Sequence, residues 1–267
     1  MLTFPNAKIN IGLHILRKRN DNFHDLETLF YPIEWTDVLE VIEEKSLHFT
    51  ASGLFIPPDK NDNLCLRAYH LLKKDFDLPA VHIFLHKIIP TGAGLGGGSS
   101  DASFTLKALN EVFNIGLTTE KLENYAAQLG SDCAFFIKNK PQIGTSRGEI
   151  LTDFEIDLKG KFIFLVYPAI NISTKEAFNQ IKPKERDFSI ASILQKNIKD
   201  WQFELENDFE KTLFPVYPVL ENIKTKLYEN GALYASMSGS GATIFGIFDT
   251  LPMITFPDEY TCWTGKL

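Results

Sequence analysis

The chain has 267 residues, 44% of them hydrophobic and 12% aromatic, so it can bury a sizeable core, and disorder is excluded as a description of the whole. Its formal charge is −7, from 27 Lys and Arg against 34 Asp and Glu, which argues against broad nucleic-acid binding but leaves room for a small anion held locally. Cys65, Cys133 and Cys262 form neither a disulfide framework nor a zinc spacing. No apolar run reaches the ~18 residues of a membrane span, and the first residues lack the pattern of a signal peptide. These features predict a cytoplasmic protein with no membrane partner.

Ala7, Ile9, Ile11, Leu13 and Ile15 alternate with Lys8, Asn10, Gly12 and His14, the period-two pattern of a half-buried strand. Apolar extended stretches follow at 29–33, 38–42 and 81–89. Asn61-Asp62-Asn63 reads as a turn and N-cap ahead of a helix over 64–76. A glycine loop spans 90–100, and a helix is expected after it, with Ala102, Leu106, Leu109 and Phe113 on one face. A second helix over about 118–129 ends at Gly130. The pattern changes across 151–160 and a strand begins afresh at 161–168. That change places a domain boundary between an N-terminal domain, 1–155, and a C-terminal domain, 156–267. The second half reads as a strand, a helix near 175–181, helices to about 230, and two strands around 236–242. Mixed elements without a regular βα rhythm predict a two-domain α+β fold.

The segment Pro90-Thr91-Gly92-Ala93-Gly94-Leu95-Gly96-Gly97-Gly98-Ser99-Ser100 carries the strongest chemical signal. Five glycines between a strand and a helix leave the backbone bare, so several N–H groups can converge on an anion at the positive end of the helix dipole. Ser99 and Ser100 can add hydroxyl contacts to phosphate or Mg²⁺. Gly92, Gly94 and Gly97 also fit a dinucleotide fingerprint, but no acidic residue ends a second strand at the expected spacing. A P-loop fails, because Gly98 stands where its lysine belongs. A turn serving tight packing alone is the bland alternative, and the entropy that five glycines cost weighs against it. The loop is therefore predicted to bind phosphate.

A second glycine cluster, Ser236-Met237-Ser238-Gly239-Ser240-Gly241-Ala242-Thr243, would by itself be a hairpin turn, and it fails the serine-hydrolase elbow. Lys8 on the first strand would ordinarily be a solvated lysine. Asp132 could be the N-cap of the next helix, and Cys133 reads as buried and structural. The six histidines show no metal-ligand spacing, and no metal ligand is assigned.

Three segments in order, Pro5-Asn6-Ala7-Lys8-Ile9-Asn10, residues 90–100 and residues 236–242, resemble the signatures of the GHMP kinase superfamily. The stretches 22–28, 61–64 and 129–132 narrow the resemblance to its branch in the non-mevalonate isoprenoid pathway. The resemblance implies a GHMP kinase fold, with an N-terminal domain like part of a ribosomal protein, a ferredoxin-like C-terminal domain, and the active site between them. It implies transfer of the ATP γ-phosphoryl to the 2-hydroxyl of a diphosphocytidyl-methylerythritol substrate, with Mg²⁺ carried mainly by the nucleotide. Asp132 would accept the proton of the attacking hydroxyl, and Lys8 would hold that carboxylate ionised. Residues 90–100, with Asn63, Leu64 and Lys87 near the adenine, would bind ATP. Phe23 and Phe178 would sandwich the cytosine, and His24 would hydrogen-bond it. Asn10, Thr174, Gly239, Ser240 and Gly241 would complete the substrate site. Phe23 stands where the family has Tyr, which removes one hydroxyl, and Ser131 replaces an alanine. Other GHMP kinases, such as those acting on homoserine or mevalonate, a nicotinamide-dependent oxidoreductase and a non-catalytic nucleotide-binding module are the competing readings. The partner expected is a small molecule, and the sequence carries no signal for an oligomeric state.

Overall fold

The computed structural model describes residues 1–55, 63–179 and 181–267. Asn61 and Asp62, part of the expected turn, lie outside the described residues. In chain order come β1 (Leu2–Thr3), β2 (Asn6–Lys18), β3 (His24–Thr36), β4 (Val38–Glu43), β5 (His48–Gly53), α1 (Leu64–Lys73), β6 (Val81–Lys87), α2 (Gly97–Val112), α3 (Thr119–Ala127) and α4 (Phe135–Lys138). They are followed by β7 (Gln142–Ser146), β8 (Ile150–Asp153), β9 (Phe162–Tyr167), α5 (Thr174–Asn179), α6 (Ile190–Leu194), α7 (Trp201–Glu204), α8 (Glu210–Leu213), α9 (Pro218–Glu229), β10 (Tyr234–Met237), β11 (Ile244–Phe248) and β12 (Thr261–Lys266). They gather into two compact units that interleave along the chain. One holds residues 1–7, 35–91 and 96–140, the other 8–34, 92–95 and 141–267.

The first unit contains a sheet in the order β1-β4-β6-β5, antiparallel except for β5 beside β6. Asn63 caps α1 as expected, its side chain accepting from the N–H groups of Cys65 and Leu66. Cys65, Ala68, Tyr69 and Leu72 bury one face of that helix, which ends at Lys73, short of the expected 76. Helix α2 opens at Gly97, inside the glycine run, whereas the sequence predicted a start after Ser100. Gly96 takes a left-handed conformation (φ 70°) that suits glycine, and its carbonyl accepts from Ser100 N at 2.9 Å, closing the first turn early.

The second unit has two sheets, ordered β2-β3-β7-β8 and β10-β11-β9-β12. Its core joins Leu13 and Ile15 of β2 to Phe164 and Val166 of β9, Ile244 of β11, and Leu220, Ile223 and Leu227 of α9. Strand β12 pairs antiparallel along the whole of β9, and β5, β7 and β8 are further strands the sequence did not announce. Strand β2 corrects an expectation. Both of its faces are buried from Asn6 to Leu13 and on to Ile15, not one alone. Lys8, Asn10 and His14 are 3%, 2% and 1% exposed, because their face is covered by protein groups, several of them hydrogen-bonding.

Candidate active site

Within the second unit, the buried Lys8 ammonium donates to Asn10 Oδ1 at 2.5 Å and to the Gly94 carbonyl at 3.2 Å, and lies 5.4 Å from the centre of the Phe30 ring. Its backbone N–H donates to Leu95 O at 2.9 Å. The sequence treated a solvated lysine as the ordinary fate at this position. Placed instead in a buried strand among acceptors, Lys8 is a fixed cation. The Asn10 backbone N–H donates to Ser238 Oγ at 3.2 Å, and Ser238 Oγ donates to Gly94 O at 2.9 Å. Thr243 N donates to Ala93 O at 3.2 Å. The residues 92–95 and the second glycine cluster therefore form one hydrogen-bonded body around Lys8.

The glycines there are compelled by space. A Cβ on Gly94 would lie 2.1 Å from the Ser238 carbonyl oxygen and 3.0 Å from that of Gly241, at a φ of +80°. Gly239 is buried, with Asn10 Oδ1 and Gly94 O each 3.3 Å from where its Cβ would stand. Asn207, which the sequence reading missed, spends both amide hydrogens on this turn, donating to Met237 O at 2.7 Å and Gly239 O at 2.8 Å. Ser240 is half-buried, and Gly241 is buried beside the Met237 sulfur. A lone asparagine in a polar stretch carries no sequence signal for such a contact.

The predicted pyrimidine residues are partly assembled in the same unit. His24 at the start of β3 stacks on Phe178 of α5, with ring centres 4.9 Å apart and planes 18° apart. Burial, with help from Lys18, holds the His24 imidazole below its usual pKa and so keeps it neutral, able to donate from one nitrogen and accept at the other. Phe23 is half exposed, and its ring lies under the Arg147 guanidinium, 4.9 Å from ring centre to carbon. Thr174 opens α5 and is exposed.

The first unit holds Pro90, Thr91 and Gly96 to Ser100. The N–H groups of Gly97, Gly98 and Ser99 have no acceptor within α2, and Gly96 offers no side chain to cap them. Gly98 is exposed, with only Leu64 Cδ1, at 3.8 Å, near the position of its missing Cβ. The Ser100 hydroxyl is fully buried without a hydrogen-bond partner among the described residues. These are the donors a polyphosphate needs at a helix start. Lys87 lies directly beneath, its Nζ 2.9 Å from where a Gly97 Cβ would be, and its charge is taken up by Asp37 and by Asp101 at 2.8 Å. Burial opposes the Lys87 ammonium, but the Asp101 and Asp37 carboxylates outweigh it and raise its pKa.

Asp132 is half-buried in the turn between α3 and α4. Ala134 occupies the α4 N-cap, so capping does not account for the aspartate. Beside it Cys133 is buried, its carbonyl accepts from Ser103 Oγ at 2.7 Å, and burial pushes its thiol up to about 11. That thiol is unreactive at neutral pH, as expected of a structural cysteine. Among the described residues, no three His, Cys, Asp or Glu side chains are grouped to hold a metal ion.

The family model described as the GHMP kinases N terminal domain matches residues 63–140, and that for the GHMP kinases C terminal matches residues 189–252. The chain is 51% identical to the 4-diphosphocytidyl-2-C-methyl-D-erythritol kinase of Bacteroides fragilis, over 97% of this chain and 96% of that one. It is 49% identical to the kinase of the same name from Cytophaga hutchinsonii, over 94% of each. The chain belongs to the GHMP kinase family. A crystal structure of 4-(cytidine 5'-diphospho)-2C-methyl-D-erythritol kinase matches with a TM-score of 0.81 at 30% identity, covering 92% of this chain and 90% of the other. Phosphomevalonate kinase from Streptococcus pneumoniae, 13% identical, matches over 100% and 99% of the two chains with a TM-score of 0.68, a likeness of fold alone. As a GHMP kinase of α+β fold, the chain is an ATP-dependent small-molecule kinase. Among its described residues no helix is long and apolar enough to cross a membrane.

Proposed function

We propose that this chain transfers the γ-phosphoryl group of ATP to the 2-hydroxyl of 4-diphosphocytidyl-2-C-methyl-D-erythritol, in the cytoplasm, as a step of the non-mevalonate isoprenoid pathway. The observation that carries this reading is the 51% identity, over nearly the full length of both chains, to a relative bearing the name of that kinase. We assign residues 1–155 to the nucleotide-binding domain and 156–267 to the C-terminal one, although residues 8–34, 92–95 and 141–155 of the first range pack within the second compact unit. The two family-model matches, at 63–140 and 189–252, each fall inside one of these ranges.

Phosphoryl transfer mainly requires alignment and neutralisation of charge on the transferring group. The first-turn N–H groups of α2 and the orphaned Ser100 hydroxyl bind the ATP phosphates. Pro90 to Leu95 complete the loop, and Asn63 and Leu64 flank the adenine. Lys87, buried with its ammonium held by two carboxylates, supports the start of α2 from beneath. Asp132 accepts the proton of the attacking hydroxyl, and Lys8 keeps negative charge at the transferring group stabilised. Asn10, Thr174, Gly239, Ser240 and Gly241 position the substrate, with Phe23, His24 and Phe178 on its cytosine. When bound, Mg²⁺ would supply charge neutralisation at the phosphates. The hydroxyl of Ser99, or that of Ser100, which has no partner among the described residues, would hold it, with the remaining ligands drawn from ATP and water.

Homoserine and mevalonate kinase structures match at 15% identity, a likeness of fold that carries no substrate to this chain, and the family leaves a nicotinamide oxidoreductase without support. A coupled ADP-release assay with the diphosphocytidyl substrate, homoserine and mevalonate in parallel tests the reading. ADP release is expected with the first alone. A folded protein that releases none with it, or that prefers either of the others, would overturn the assignment.

A further inference from the structure

We propose that Thr28 of β3 is a positioning residue for the transfer reaction, setting the orientation of the Asn10 amide and, through it, the place of Lys8. The inference rests on the reading above that Lys8 acts at the transferring phosphoryl group.

Three buried side chains form a directed chain. Thr28 is fully buried, and its hydroxyl donates to the Gly12 carbonyl at 2.6 Å. With its one hydrogen spent there, the Thr28 oxygen can only accept from its other neighbour, and Asn10 Nδ2 lies 3.0 Å away. The Asn10 amide is thereby fixed with its NH₂ toward Thr28 and its carbonyl oxygen toward Lys8, whose ammonium reaches that oxygen at 2.5 Å. The far end makes the same demand, because an ammonium has hydrogens to give and no lone pair to receive one. An amide turned the other way would place two N–H groups against a cation inside a buried strand. The Gly12 carbonyl, at a glycine with φ +68°, is thus the origin of an orientation that ends on Lys8 Nζ. Thr28 acts through the Asn10 amide that it orients.

Thr28→Val keeps the shape and removes both roles of the hydroxyl, leaving a buried amide with no acceptor. The kcat is expected to fall about 10- to 100-fold while KM for ATP stays within about twofold. Thr28→Ser, which keeps the hydroxyl, should retain most of the turnover, and Thr28→Cys, a weak acceptor of similar size, should lie between the two. If the valine variant does not fold, the serine-to-cysteine step carries the comparison. A flat series, a serine variant as slow as the valine or cysteine one, or a loss seen in KM for ATP in place of kcat would overturn the role. A wild-type protein that does not turn over the diphosphocytidyl substrate would instead defeat the proposed function, before any variant is compared.

Discussion

Burial gives single residues their character here. Lys8 and His14 are both buried polar residues of β2, yet their environments differ. Lys8 is provided with acceptors, whereas both ring nitrogens of His14 lack a hydrogen-bond partner among the described residues. Burial, then Arg186, lower the His14 pKa from 6.5 to about 4. The unfolded chain therefore binds more protons than the folded one between those values, and stability falls as pH drops through that window. His14→Leu is expected to narrow the loss of melting temperature between pH 6.5 and 4, and an unchanged profile would remove the assignment. For the chemistry, Asp132→Asn should cost about 10²–10⁴ in kcat with ATP binding intact, the usual worth of a general base. Single-turnover kinetics alongside nucleotide titration would check both halves. An asparagine variant with near-normal turnover would show that the proton leaves by another route.

At the level of elements, the glycine run does two jobs that composition merges. Gly94 is forced by packing, since any side chain would strike the Ser238 and Gly241 carbonyls. Gly98 sits in the first turn of α2, where a Cβ would make only an ordinary contact with Leu64 Cδ1, 3.8 Å away. Gly94→Ala should therefore lose both stability and activity. Gly98→Ala should keep the fold, with stability unchanged or raised by up to ~1 kcal/mol from helix propensity, while KM for ATP rises because the new methyl intrudes on the cradle. Melting temperatures and ATP kinetics of the two variants check the contrast. Equal effects at both positions would contradict the separate roles. The packing alternative weighed from the sequence thus describes Gly94 well and Gly98 poorly. No count of glycines could have divided them, because the distinction depends on which atoms lie opposite each one.

Across the whole molecule, the three cysteines offer a direct check. Cys65 and Cys133 are buried and only Cys262 is exposed, on β12. An aromatic disulfide reagent should label one thiol quickly in the native protein and all three in denaturant, with Cys262→Ser abolishing the fast phase. Two fast thiols would place one of the buried pair at the surface.

The sequence by itself determined the class of protein and marked out the segments proposed for the site. A glycine run before a helix points to an anion because bare backbone N–H groups can converge at the positive end of the helix dipole, and Asn63 caps α1 by local geometry alone. The apolar periods also located most of the helices and the central strands. Contacts between distant segments were settled only by tertiary structure. The covered polar face of β2 depends on Thr28, Gly94 and Ser238, up to 228 residues away. The clamp of Asn207 on the second glycine turn spans 30 and 32 residues. The pairing of β12 with β9 joins segments nearly 100 positions apart whose own alternation is weak. Local patterns record which groups a short stretch can offer, while burial and hydrogen-bond direction depend on what the rest of the chain brings against them.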